Sequence, residues 1–302
     1  MASDDPNRII HADNLEVLPT LPDGRFTLVY LDPPFNTGRP QARRSTRHVR
    51  LPDPDPDGTP ADGMRATDAA APAASGTITG FAGRRYERIR GDLLRYDDRF
   101  DDYWAFLEPR LAEAWRLLAD DGTLYLHLDY REAHYAKVLL DALFGRECFL
   151  NELIWAYDYG AKAKRRWPTK HDTILVYVKD PAGYWFDSTA VDREPYMAPG
   201  LVTPEKAELG KLPTDVWWHT IVSPTGREKT GYPTQKPEGI LRRIVQASTR
   251  EGDWVLDFFA GSGTTGAVAA TLGRRFVLVD ENPEAIAVMK GRFTDVAGVV
   301  FE

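Results

Sequence analysis

A single cysteine, Cys148, occurs in 302 residues. A disulfide framework and a cysteine-based zinc cluster are both excluded, and the chain suits a reducing compartment. No apolar run approaches the roughly 20 residues needed to span a bilayer. The opening residues, MASDDPNRII, are acidic and hold no apolar stretch of secretory type, so a soluble cytoplasmic protein without a membrane partner is expected. Net positive charge is lacking too: 38 Lys and Arg stand against 45 Asp and Glu, a formal charge of −7. No glycine loop runs into Gly-Lys-Ser/Thr, which excludes a phosphate-binding P-loop. The chain has no internal repeat. What remains, 43% hydrophobic and 27% charged residues, is the composition of a globular protein and excludes wholesale disorder. The length allows one large domain or two modest ones, with a core that needs no covalent staples.

The acidic total does not exclude a nucleic-acid partner, because phosphate binding depends on the local field. Arg39 to Arg50 holds Arg39, Arg43, Arg44, Arg47 and Arg50 with no acid, and Lys162 to Lys170 holds Lys162, Lys164, Arg165, Arg166 and Lys170 with none. The excess acid lies elsewhere, in DPDPDG and RYDDRFDDY.

RIIHAD, NLEVLPTLPDG and FTLVYLD read as strand, helix and strand, the last apolar enough to be buried on both faces of a parallel sheet. From residue 37 to 96 the apolar period dissolves into Pro, Asp, Ala and Gly, which predicts a mobile loop insertion able to close over whatever binds beside it. YWAFLEPRLAEAWRLLADDG and YREAHYAKVLLDALFG have helical spacing, each stopped by glycine. GTLYLHLD, ECFLNELIWAYD and KHDTILVYVKD read as strands. Residues 181–231 are irregular and aromatic, and suggest a small appended module. PEGILRRIVQAST then leads to strand DWVLDFFA, the turn GSGTTG, helix AVAATLG, strand RRFVLVD and helix PEAIAVMKGRF. Alternation of strands and helices predicts an α/β fold with a mostly parallel, doubly wound sheet.

GSGTTG satisfies the dinucleotide pattern, with Asp280 ending the next strand about 20 residues on. Asp257, four residues before Gly261, separates the candidate ligands. A carboxylate there opposes a pyrophosphate at the helix N-terminus and welcomes a cation. S-adenosylmethionine carries an ammonium, a positive sulfonium and a ribose that Asp280 can hold, and no phosphate. LDPPFNTG places Asp32, Pro33, Pro34 and Phe35 at the end of a buried strand. The prolines stiffen the turn and leave its carbonyls free. Hydrogen bonds from an exocyclic amino group to the Asp32 carboxylate and the Pro33 carbonyl favour a pyramidal, nucleophilic nitrogen, and Phe35 offers a stacking face for a base.

DPPFNTG together with DFFAGSGTT resembles the amino-methyltransferases of DNA bases, and the order, catalytic turn early and cofactor loop late, resembles their permuted β group. YPTQKPEGILRRIVQAST, KHDTILVYVKD, DALFGRECFLNELIW and HADNLEVLPTLPDG are similar to further segments of that group. The resemblance implies a Rossmann-like methyltransferase sheet, circularly permuted, built from residues 1–36, 97–180 and 232–302, with the 37–96 insertion and a target-recognition region at 181–231. It implies Asp32, Pro33, Pro34 and Phe35 as the catalytic set. Asp257, Phe259, Ala260, Gly261, Ser262, Gly263, Thr264 and Thr265 become the cofactor loop, Asp280 the ribose partner and Asp13 a neighbour of the adenine. Thr234, Gln235 and Lys236 line the methionine end. Phe35 departs from the commoner tyrosine, losing a hydroxyl and keeping the ring.

The activity implied is methyl transfer from S-adenosylmethionine, without a metal, to adenine N6 in double-stranded DNA, with the base flipped out of the duplex. The two basic clusters hold phosphates, and Trp167 either stacks on a base, fills the gap left by the flipped one, or simply packs. A separately acting restriction endonuclease, a homodimer and a bacterial, nucleoid-associated location belong to the same expectation. Alternatives are cytosine N4, RNA or a protein glutamine amide as target, an idle DNA-binding subunit, and an NAD-dependent dehydrogenase, which leaves DPPF unexplained.

Overall fold

FTLVYL forms β2 (Phe26–Leu31), a strand with all six residues buried, as suits a segment without charge that packs on both faces. It belongs to a computed structural model that describes residues 5–35, 41–50, 77–79, 85–96, 103–158, 160, 162–223 and 225–302. Ahead of β2 lie β1 (Asn7–His11) and α1 (Asn14–Val17). After it come β3 (Gln41–Arg50), β4 (Thr77–Thr79), β5 (Arg85–Tyr96), α2 (Tyr103–Leu117), β6 (Leu118–Leu128) and α3 (Ala133–Phe144). They are followed by β7 (Phe149–Ala156), β8 (His171–Val178), α4 (Pro204–Leu209), β9 (Val216–Trp218) and α5 (Glu238–Ser248). The chain finishes with β10 (Trp254–Asp257), α6 (Thr264–Thr271), β11 (Arg275–Asp280), α7 (Pro283–Arg292) and β12 (Val299–Phe301).

Nine strands form one sheet in the order β12-β1-β11-β10-β2-β6-β8-β7-β9. Every neighbouring pair is parallel except the two made by β8, which runs opposite to β6 and β7. From β10 the chain winds to β11, and from β2 it winds the other way to β6. The strand order therefore reverses between β10 and β2, where Val255 pairs with Leu28 and Leu256 with Val29. This is a doubly wound sheet, and the carboxyl ends of β2 and β10 flank its switch point, the place where such sheets open a crevice. Its order is permuted, because the glycine loop follows the tenth strand while the catalytic turn follows the second.

Alternation along the strands divides the core between the two faces. Val29, Leu31, Leu124, Leu126 and Tyr177 pack with Leu107, Leu111 and Leu140 of α2 and α3. Leu28, Tyr30, Tyr125, Val176 and Leu278 pack with Ile240, Leu241, Val268 and Met289 of α5, α6 and α7. Among the described residues, no helix is long and apolar enough to cross a membrane.

Two expectations change. The composition of 37–96 predicts a segment without regular structure; instead β3, β5 and β4 form a three-stranded antiparallel sheet, and residues 38–99 make a compact unit of their own. RYERIRGDLLRY is rich in arginine, which masks its strand character when hydrophobic period alone is read. Residues 181–231 belong to the same compact unit as the main sheet and supply its edge strand β9, with Trp217 buried in the core and Trp218 exposed. The short VWW run lies within irregular text, and pairing with β7 is what makes it a strand.

Phe276 is fully buried against Phe293, ring centroids 5.2 Å apart. Phe276→Ala is expected to lower unfolding free energy by about 3–5 kcal/mol, measured by urea denaturation followed by circular dichroism.

Candidate active site

Because β10 and β2 are hydrogen-bonded neighbours running in parallel, the two turns that the sequence singles out leave the sheet side by side. The glycine turn is braced by two carboxylates. Asp257 Oδ1 accepts from the Phe259 N–H (3.0 Å) and Oδ2 from the Thr265 hydroxyl (2.6 Å). Asp280 Oδ2 accepts from the Gly261 N–H (2.7 Å) and Oδ1 from the Asn282 N–H (2.9 Å). Burial pushes the Asp257 carboxyl up to about 7, against the pull of those Thr265 and Phe259 bonds, and the charges of Asp32 and Asp280 add to the rise. Burial also raises Asp280. Gly263 has φ +72, and a Cβ there would meet Met289 Cγ at 2.8 Å, so only glycine fits. Gly261, φ +51, lies under the Tyr232 ring. Arg292 clamps the far side, donating to the Ser262 carbonyl (3.3 Å) and to Glu238 (2.6 Å).

At the other turn, Asp32 Oδ2 accepts from Lys236 Nζ at 2.5 Å. Asp32 Oδ1 is buried and has no hydrogen-bond partner among the described residues. The Lys236 ammonium also lies 5.0 Å from the Phe35 ring centroid, while the Lys236 carbonyl accepts from Thr264 Oγ1 (3.2 Å). One residue thus ties the DPPF turn to the helix that follows the glycine loop. The prolines' carbonyls are not both free, as the sequence had suggested: Tyr103, at the start of α2, donates its hydroxyl to the Pro34 carbonyl at 2.8 Å. A stiff turn with open acceptors is a good docking point for a neighbouring donor, and α2 supplies one.

Behind Asp32 lies a group that sequence reasoning missed. Tyr30, His127 and Asp172 sit on the same sheet face, with the Tyr30 hydroxyl 2.8 Å from His127 Nδ1 and Asp172 Oδ2 3.4 Å from Nε2. A signal for it exists: His127 interrupts the apolar run LYLHL at a position that alternation points inward.

The remaining candidates are spread along the same edge. Asp13 caps α1 through the Leu15 N–H (2.9 Å) and faces Arg110 at 3.5 Å; it follows β1, whose His11 pairs with Asp280. Thr234 is exposed. Gln235 spends its amide on a loop, accepting from the Thr230 N–H (2.8 Å) and donating to the Glu228 carbonyl (2.6 Å). Lys162, Lys164, Arg165 and Arg166 are exposed, and Trp167 is 93% exposed, so it is not a packing residue. Lys170 is tied back to the Gly160 carbonyl. This loop leaves β7, which runs with β6, so it rises from the carboxyl edge; the Arg166 guanidinium lies 5.7 Å from the ring of Tyr130, just beyond β6. Arg39 lies outside the described residues. Arg43, Arg44 and Arg47 lie on β3, and their side chains are likewise outside the description. Among the described residues no cluster of three or more His, Cys, Asp or Glu could hold a metal ion.

A family profile described as DNA methylase matches residues 26–291. The chain belongs to the N6/N4 DNA methylase family. Among its relatives, the DNA adenine methyltransferase YhdJ of Escherichia coli (strain K12) is 30% identical over 286 residues, 92% of this chain and 79% of that one. Two solved structures share the fold. The cytosine-N4-specific PvuII DNA methyltransferase has a TM-score of 0.61 at 15% identity, covering 97% of this chain and 88% of that one. The M1.HpyAVI–SAM complex has a TM-score of 0.55 at 20% identity, covering 95% and 98%. In this family member, the DPPF and glycine turns meet at one switch point.

The raised Asp257 sets a sign for stability. Its folded value near 7 exceeds the ordinary carboxylate value of about 3.9, so the native state binds the extra proton between them. Its stabilising contribution is complete below about pH 4 and is lost as pH rises through about 7. Melting temperature measured against pH should show this decline in the ligand-free protein, on the order of a few kcal/mol, and Asp257→Asn should remove it.

Proposed function

We propose that the chain transfers a methyl group from S-adenosylmethionine to the N6 amino group of adenine in duplex DNA, acting on a base flipped out of the helix. The observation that carries this reading is Asp32 Oδ1, a buried carboxylate oxygen without a partner among the described residues, at the end of the strand next to the one that bears the glycine loop. Such an oxygen costs free energy until an N–H donor reaches it. Adenine is favoured over cytosine by the aspartate that opens the DPPF turn and by the 30% identical relative named as an adenine methyltransferase.

The donor set fits a cationic cofactor. Carboxylates brace the glycine loop at both ends, and the Arg292 guanidinium that reaches the loop is already held by Glu238; a pyrophosphate would meet repulsion here. Asp280 would hold ribose hydroxyls with the lone pairs that its two backbone contacts leave open. Asp257 keeps the loop in shape through Phe259 and Thr265. When bound, the cofactor supplies a methyl carbon that the amino lone pair attacks, the carbon–sulfur pair returning to sulfur while one amino proton must leave.

The chain's own residues then orient and exclude water. Lys236 donates to Asp32 Oδ2 beside the Phe35 ring and leaves Oδ1 for the amino group. Entry of the base adds an N–H donor at Oδ1 while Lys236 keeps Oδ2, so Asp32 is never left as an isolated charge. Phe35 packs against the core at its edge and is half-buried, which leaves a face for stacking. Withdrawal of the amino protons toward Asp32 localises the nitrogen lone pair, and that positioning is the catalytic contribution.

Asp32→Ala is expected to lower kcat by at least about a hundredfold while cofactor affinity, read by calorimetry, stays nearly unchanged; an active Asp32→Ala enzyme would overturn the reading. Replacing Lys164, Arg165 and Arg166 together by alanine should weaken DNA binding and flatten its salt dependence, by roughly one unit of log–log slope for each phosphate no longer neutralised. A fluorescence-anisotropy series in salt checks this, and an unchanged slope removes the loop from the interface.

A further inference from the structure

We infer that the buried chain Tyr30–His127–Asp172 takes up the proton that the target amino group sheds on methylation, with Asp32 passing it to His127 Nδ1. The inference rests on the role proposed above for Asp32.

His127 has no exposed surface. A fully buried imidazole is tolerated only when both ring nitrogens are engaged, and here both are: the Tyr30 hydroxyl is 2.8 Å from Nδ1, and Asp172 Oδ2 is 3.4 Å from Nε2. Burial, then the charge of Asp32, raises the Tyr30 phenol well above its ordinary range, so it stays protonated and can donate to Nδ1. Donation from this phenol to Nδ1 puts the ring proton on Nε2, toward Asp172, in the proposed chain. Burial alone would raise the Asp172 carboxyl, but the His127 contact, Lys236 and the Tyr157 hydroxyl at 3.3 Å hold it below the usual carboxylate range. Asp172 thus lies behind the ring at Nε2, and Nδ1 faces the active-site side. His127 Nδ1 lies 4.0 Å from Asp32 Oδ1, the unpartnered oxygen. Trp155 and Phe35, at ring distances of 5.6 and 5.9 Å, wall the imidazole from water.

The proton count closes without a further reagent. One amino proton moves from nitrogen to Asp32 Oδ1; the Tyr30 hydroxyl then swings its hydrogen off Nδ1, and Asp32 closes the 4.0 Å gap and hands the proton to that freed lone pair. Asp32 is again a carboxylate, the methylated amine is neutral, and the imidazolium sits between Asp32 and Asp172. Once the product leaves, the proton returns through Asp32 to water. Among the described residues, the titratable or charged groups facing the ring or its partners are Tyr30 and Asp32 from β2 and its turn, Asp172 from β8, Tyr157 after β7 and Lys236 ahead of α5. Asp129, beyond β6, is paired with Arg131. His127 acts through Asp32 and is a positioning residue in this scheme.

Nitrogen-labelled magnetic resonance of the ligand-free chain reads the ring directly, with the His127 signal assigned by its loss in His127→Gln. The Nε2–H tautomer is expected at alkaline pH, with a midpoint that Asp172→Asn moves to lower pH. Single-turnover methylation should show an acid limb that Asp172→Asn moves the same way and His127→Gln abolishes, the latter variant being about a hundredfold slower at neutral pH. A wild-type rate and pH profile in His127→Gln, an Nδ1–H tautomer, or a midpoint unmoved by Asp172→Asn would each overturn the inference. If His127→Gln does not fold, the tautomer of the wild-type ring and the Asp172→Asn shift decide it alone. An inactive Asp32→Ala beside an unimpaired His127→Gln refutes this inference and leaves the methyl-transfer reading standing; an active Asp32→Ala refutes that reading first.

Discussion

The parallel pairing of β2 with β10 is the contact on which the site depends. Two hydrogen-bonded neighbours cannot diverge at their carboxyl ends by more than the spacing of a sheet, about 5 Å per strand. Whatever follows them is therefore forced into one crevice. Asp32 comes two residues after Tyr30 and Asp257 is the last residue of β10, so alternation and register, with no further device, bring the catalytic turn beside the glycine loop. The helices α5, α6 and α7 on one face and α2 and α3 on the other fill the layers that keep this pairing rigid.

A second theme is negative charge held in a dry place. Asp32, Asp172, Asp257 and Asp280 gather at the carboxyl edge of the central strands. Each is relieved differently. Asp32 borrows the Lys236 ammonium, Asp172 the His127 ring, Asp257 a backbone N–H and a threonine, and Asp280 two backbone N–H groups. The first two partners are side chains that can move or change protonation, which suits groups that meet substrate or carry a proton. The latter two are largely backbone, which suits groups that hold a loop in shape. The same residue type thus serves two purposes, set by what supplies its hydrogen bonds.

Much of this is legible in the residues themselves. A tetrapeptide such as DPPF and a turn such as GSGTTG carry local constraints, namely fixed φ, positive φ and strand-end position, that act within a few residues and survive without a partner. The histidine of LYLHL and the aspartate of KHDTI give weaker signals, because either is unremarkable until the other lies across the sheet. Gln235, which the resemblance places with its neighbours at the cofactor, has its amide committed to Thr230 and Glu228. The arginine-rich strands at 41–50 and 85–96 stay hidden because strand signals rest on apolar alternation, whereas pairing is made by the backbone.

Sequence by itself determined the strand–helix alternation, the two turns, the order in which they occur and the resemblance to the amino-methyltransferases of DNA, since each depends on covalent neighbours and on period. Tertiary structure alone decided that residues 32 and 236 form an ion pair, that one Asp32 oxygen has no partner among the described residues, and that Tyr30, His127 and Asp172 stand in one line behind it. Those facts depend on sheet register and on which atoms are shut away from water, and neither exists until strands distant in the chain have paired.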